Sequence, residues 1–172
     1  MGGLTCAARF ERIRGDGLQA IISGLRESVD VQRCTLRLHA GGAAFPVVHE
    51  SCTPPARSLV ADESVGLRGQ PVVEALLAGA GQVVQPDTHA ASSDPAFLRM
   101  LDLYGGMGAQ IVTAVRCDAR LLGMISLHQL GGPRRWTAEE TTLAQDVAAL
   151  VARMMVDPHG GFATRVSEPS GE

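Results

Sequence analysis

Ser126 and His128 stand two residues apart in an apolar run at 121–130, so in an extended strand they project from one face with Met124. Gly123, Ile125 and Leu127 project from the other. A hydroxyl and an imidazole on one face can hold a polar ligand or move a proton. His128 is the first choice for ligand contact, and a structural bond to the turn before Trp136 is its alternative role. His49 and Glu50 are adjacent and must point to opposite faces of a strand, so they cannot chelate one ion together. Grouping the apolar Val48 and Cys52 with the helices sends Glu50 the same way and puts His49 with Val47 and Ser51 on the pocket side. A buried Glu50 is the alternative, and it favours acid-base catalysis.

Asp87 follows Pro86 at a strand end, where a turn bond to nearby backbone amides is the default role and catalysis the second. Arg57 and Arg68 lie in the loop after the strand of His49 and Glu50, where a guanidinium can bind carboxylate or phosphate. Tyr104 closes a short helix beside Gly105-Gly106 and offers a hydroxyl to a ligand or a cap to the core. Gln110 is a pocket donor if it shares the face of His128. Trp136 reads as a structural plug, and His39, His89 and His159 as exposed. Five scattered histidines have no metal-ligand spacing, so no metal site is expected.

Elements to position these groups follow from periodicity. Leu18, Ile21, Ile22, Leu25 and Val29 recur at helical spacing after Gly15-Asp16-Gly17, with Asp16 and Gln19 in capping-box positions. Residues 33–39 alternate, with Cys34, Leu36 and Leu38 on one face and Thr35, Arg37 and His39 on the other, and 45–52 form the second arm of a hairpin. Pro71 opens a short helix to Leu77, 82–85 make a brief strand, and Asp94-Pro95 opens another helix to Leu103. Residues 109–116 and 121–130 form a second hairpin. Thr137 and Glu140 form a capping box for a last helix, whose stripe is Leu143, Val147, Leu150, Val151, Met154 and Met155. Residues 147–152 are apolar all round, which calls for a partner helix, from this chain or a second copy. The polar segment 157–172 is expected to be a mobile tail.

The chain has 172 residues, enough for one domain with one core. All its basic residues are Arg, the net charge is −3 and aromatic residues are 3%, which argues against a nucleic-acid surface. No apolar segment reaches the roughly 18 residues of a membrane span, and no secretory signal is present, so a cytoplasmic location is expected. Four cysteines without CxxC spacing read as reduced thiols.

The run LLGMISLHQLGGPRRWTAEETTLAQDVAALVARM resembles the closing hairpin and last helix of GAF domains, sensor modules related to PAS domains. GQVVQPD and DPAFLRMLDLYGGMGAQIVTAVRCDARLLG resemble the middle of one, including the Asp after the short strand. The resemblance spans residues 19–155. It implies an α+β sandwich with a central antiparallel sheet, N- and C-terminal helices on one face, and a ligand pocket under short helices and loops on the other. Family members bind cyclic nucleotides, bilins, haem, amino acids or aromatic compounds, and a few are enzymes.

Bilin-binding members carry a Cys, often beside a His, before the second hairpin. This chain has Ala90-Ala91-Ser92-Ser93 there, so no bilin anchor and no cofactor are expected, with haem left open. Cys34, Cys52 and Cys117 do not match the catalytic cysteines of free-methionine-sulfoxide reductases, and the NKFDE-type set of cyclic-nucleotide binders is absent.

The expectation is a sensor of residues 16–156 between an N-terminal extension (1–15) and the tail. A small organic ligand would be bound by His49, Arg57, Asp87, Tyr104, Gln110, Ser126 and His128. Occupancy would pass to the helices at 18–29 and 143–155, which would form a homodimer or meet a regulatory partner protein. A non-enzyme is favoured. The alternative is a cofactor-free enzyme using His49, Glu50, Asp87 and His128 for proton transfer.

Overall fold

A computed structural model describes residues 6–39, 45–62, 64 and 66–156. Five strands, β1 (Arg33–Leu38), β2 (Val47–Cys52), β3 (Gln82–Gln85), β4 (Met107–Cys117) and β5 (Arg120–Leu130), form one sheet in the order β2-β1-β5-β4-β3, antiparallel throughout. Helices α1 (Cys6–Val29) and α5 (Ala138–Val156) cover one face. On the other lie α2 (Pro71–Leu77), α3 (Thr88–Ala91), α4 (Pro95–Leu103) and the loop after β2. This is the α+β sandwich expected. Among the described residues no helix is long and apolar enough to cross a membrane.

The two cores follow from strand alternation. Cys34, Leu36, Ile125 and Leu127 pack under Leu18, Ile22, Leu25, Ala144, Ala148 and Val151, while Met124, Val112 and Met107 face Val73, Leu76, Phe97 and Leu101. The capping box of α5 forms as predicted: Glu140 N–H donates to Thr137 Oγ1 at 3.2 Å, and Thr137 N–H to Glu140 Oε2 at 2.8 Å. Arg134 joins the helices, donating to the Val29 carbonyl at 2.7 Å and to Glu140 Oε1 at 2.5 Å.

Three expectations need correction. Gly15-Asp16-Gly17 does not interrupt the first helix, which runs through it from Cys6, so Asp16 is not a cap. Two glycines cost a helix about 1 kcal/mol each. Burial of Leu18, Ile22, Leu25 and Val29 against the sheet and α5 carries the helix through them; a Cβ on Gly17 would meet Met154 Cε at an ordinary 3.4 Å and one on Gly15 would meet nothing. The buried face of α5 is Ala144, Ala148, Val151 and Ala152, with Val147, Met154 and Met155 packed partly against it; of the expected stripe, Leu143 and Leu150 instead remain 36% and 37% exposed. Small residues let the helix lie close to the sheet.

The third correction concerns β2. Leu36 pairs with His49 and Arg37 with Val47, so Val48 is an extra residue, a bulge that reverses the facing of everything after it. His49 and Ser51 therefore face α1, and Glu50 faces the loop. The segment 157–172, expected to be a mobile tail, lies outside the described residues.

β1 and β5 approach closely at Gly123, where a Cβ would fall 2.2 Å from the Arg37 carbonyl oxygen. Gly24, in α1, faces open space. Urea unfolding should therefore show Gly123→Ala destabilised by about 2 kcal/mol or more and Gly24→Ala stabilised by about 0.5–1 kcal/mol. Equal effects of one sign would contradict the strand approach.

Candidate functional site

Between the sheet and the α2–α4 layer lies a cavity of about 30 Å³, room for one or two water molecules. Its wall is largely apolar, from Val73, Phe97, Met107 and Met124. Into it project Arg37 from β1, Gln70 before α2, Tyr104 at the end of α4, Gln110 from β4, and Ser126 and His128 from β5. Strand register explains the gathering: His128 pairs with Arg33 and with Gln110, and Met124 pairs with Arg37, so these positions share one face.

Arg33 is fully buried and donates in three directions: Nε to His128 Nδ1 at 2.9 Å, Nη2 to the Tyr104 carbonyl at 2.9 Å, and Nη1 to the Arg57 carbonyl at 3.1 Å. Arg37 donates to the Phe45 carbonyl at 2.9 Å and to the Tyr104 hydroxyl at 3.0 Å. The two guanidinium carbons lie 5.4 and 5.9 Å from the Tyr104 ring centroid, within cation–π range. Burial lowers the Arg33 pKa to about 10, opposed by the charge of Glu50, so the group stays cationic at neutral pH. Burial likewise lowers Arg37. His128 is held well below its usual value by burial first and the Arg33 and Arg37 charges next, so it is neutral. An arginine N–H on Nδ1 fixes the His128 proton on Nε2.

Four of the predicted site residues meet at this cavity: Tyr104, Gln110, Ser126 and His128. The others do not. Arg57 donates to the Leu103 carbonyl and pairs with Asp62 at 2.6 Å, pinning the loop over the site, and Arg68 is exposed. Asp87 caps α3, accepting from the His89 and Ala90 amides at 3.0 and 3.1 Å, which is its turn role. His49 lies against Gln19 Oε1 of α1 at 3.3 Å, on the helix face rather than the pocket side. Glu50 accepts from Ser58 Oγ at 2.5 Å and Leu59 N–H at 2.8 Å, fastening the loop to β2. The quartet His49, Glu50, Asp87 and His128 is thus not assembled at one place: the bulge turns His49 to the helix face, Glu50 is spent on the loop bonds, and Asp87 caps α3.

Arg33 and Arg37 were missed. Alternation put Arg37 on the face opposite Leu36, and a hairpin read alone leaves that face to solvent. The signal lay in topology: β1 is internal, between β2 and β5, so both of its faces are covered.

The sequence signature of the GAF domain family matches residues 15–155. The chain belongs to the GAF domain family. No curated protein shows significant sequence similarity to it. Among solved structures, this GAF domain resembles the cyanobacteriochrome receptor PixJ, with a TM-score of 0.71 and 21% identity over 87% of this chain and 99% of that one. It also resembles the blue-light-absorbing form of the Thermosynechococcus elongatus PixJ GAF domain, at 0.67 and 20% over 90% and 92%. A third is the chromophore-binding domain of a bacteriophytochrome from R. palustris, at 0.65 and 18% over 86% and 59%. At these identities the likeness is one of fold.

These likenesses overturn the expectation of no cofactor, which rested on the missing Cys at 90–93. The structures that this GAF domain resembles are cyanobacteriochromes and a chromophore-binding domain, so a bilin returns to the set of candidate ligands. A missing Cys bears on covalent attachment at that position only.

The His128 environment sets a pH dependence. The fold keeps this imidazole neutral, whereas the unfolded chain protonates it below its ordinary value of 6.5. Its contribution is therefore complete above pH 6.5 and is lost as pH falls, by at most about 1.4 kcal/mol per pH unit. His49, lowered by burial, acts in the same direction. Urea titrations at pH 7.5 and 5.5 should show a loss of stability that shrinks in His128→Gln; an unchanged loss would place the effect elsewhere.

Proposed function

We propose that this GAF domain is a sensory module of the cytoplasm that binds a small organic ligand, a chromophore of the bilin class included, between its sheet and the α2–α4 layer. One observation carries the reading: polar side chains from β1, β4, β5 and the end of α4 converge on a partly open cavity of otherwise apolar wall. The roof is an irregular loop held by replaceable bonds, among them Arg57 to Leu103 and Glu50 to Ser58 and Leu59. Family membership and the photosensor structures of the same fold favour it.

The output runs through α1 and α5, as homodimer contacts or as contacts to a regulatory protein. Two features favour this route. Leu143 and Leu150, two turns apart, leave an exposed apolar strip on one face of α5. Arg134, a few residues beyond His128, ties both helices to the end of β5.

Two measurements test the reading. Absorption spectra of the purified protein with and without biliverdin, together with calorimetry against a metabolite panel, should reveal one saturable ligand, whose excess at 100 times Kd stabilises the fold by about 2.7 kcal/mol. Leu150→Glu should shift sedimentation toward the monomer. No saturable ligand would contradict the sensor reading, and a monomer in both proteins would contradict the dimer.

A further inference from the structure

Arg37 is only 6% exposed and lines the cavity, yet among the described residues neither it nor Arg33 forms an ion pair. The partners of Arg37 are neutral, a carbonyl and a phenol oxygen. Among the described residues no carboxylate touches Arg37: Glu50 and Asp62 favour its charged form only through space, so its guanidinium has no contacting anion. Around it the cavity offers donors. Tyr104 accepts from Arg37 with its oxygen, which leaves its own O–H to donate. His128 accepts from Arg33 at Nδ1, which leaves Nε2–H to donate. No Asp or Glu lines the cavity. Two further buried polar atoms have no partner: Gln70 Oε1, from a residue on the cavity wall, and Thr35 Oγ1, between Arg33 and Arg37 on the same strand face.

We infer that the cavity is built for an organic carboxylate, whose acid group is received by the Arg37 guanidinium, the Tyr104 hydroxyl and His128 Nε2–H. This rests on the pocket as the ligand site and adds the charge of the ligand. A guanidinium fork matches a planar carboxylate through two parallel N–H···O bonds. One cationic group faces the cavity, because Arg33 is turned to three protein acceptors, so a monoanion balances the site better than a dianionic phosphate. Gln70 Oε1 adds an acceptor for an N–H or O–H elsewhere on the same molecule. Arg33 is a positioning residue: it sets the His128 tautomer without lining the cavity.

The test pairs each acid with a neutral analogue. Aliphatic and aromatic carboxylates are titrated beside their primary amides, biliverdin beside its dimethyl ester, and inorganic phosphate alone, by calorimetry and thermal shift on the full chain. At least one acid should bind ten-fold or more tightly than its neutral analogue. The biliverdin pair distinguishes the propionates of a tetrapyrrole from a free small acid. Arg37→Met should abolish the preference for acid, with its fold checked by circular dichroism. If that variant does not fold, Tyr104→Phe should weaken the acid at least three-fold and leave the amide unchanged. Amides or ester that bind as well as the acids would overturn the carboxylate assignment and leave the sensor reading standing, as would phosphate bound in preference to every carboxylate. No binding by any probe, acid or neutral, would overturn both.

Discussion

Arg33 has no exposed surface and no ion-pair partner among the described residues, and it joins three parts of the molecule. Its three donors reach β5 through His128, the end of α4 through the Tyr104 carbonyl, and the loop after β2 through the Arg57 carbonyl. Leaving those acceptors bare inside a low-dielectric layer would be expensive, so the side chain and its partners hold each other in place. The cavity depends on this arrangement. Sheet, short helices and loop meet around one guanidinium, and the residues that line the space, Tyr104 and His128 above all, are oriented by it or by its neighbour Arg37.

The two faces of the sheet have different physics. Under α1 and α5 the core is apolar and the helices approach closely through Gly17, Ala144, Ala148 and Ala152. On the opposite face buried cations and donors sit in an apolar frame, covered by elements fastened through polar bonds that a ligand or water can replace. One layer is thus held by apolar packing and the other fastened by polar bonds. Arg134, just after the strand that bears His128, bonds both helices.

Much of this was legible from the residues. Strict alternation through Met124, Ser126 and His128 placed those side chains correctly because no bulge interrupts that stretch, and the Thr137–Glu140 box marked the start of α5. What was not legible depended on contacts between distant segments. One bulge residue, Val48, turned His49 and Glu50 to the opposite faces, and alternation cannot reveal an extra residue. Gly15 and Gly17 read as breakers until the packing of the α1 stripe against the sheet and α5 is known. Arg33 and Arg37 looked like the solvent face of a hairpin, because only the pairing of β1 with β5 covers them. The missing Cys at 90–93 bears only on covalent attachment, so it does not exclude a bilin.

The central claim is that the face carrying Arg37, Tyr104 and His128 is the one that receives a ligand. Nitrogen–proton chemical-shift mapping during titration with the tightest-binding carboxylate tests it most directly. The account predicts the largest shifts at Tyr104, Gln110, Ser126, His128 and the Arg37 side chain, with smaller ones reaching α5. Shifts confined to the α1–α5 face, with those five residues unmoved at saturation, would contradict it.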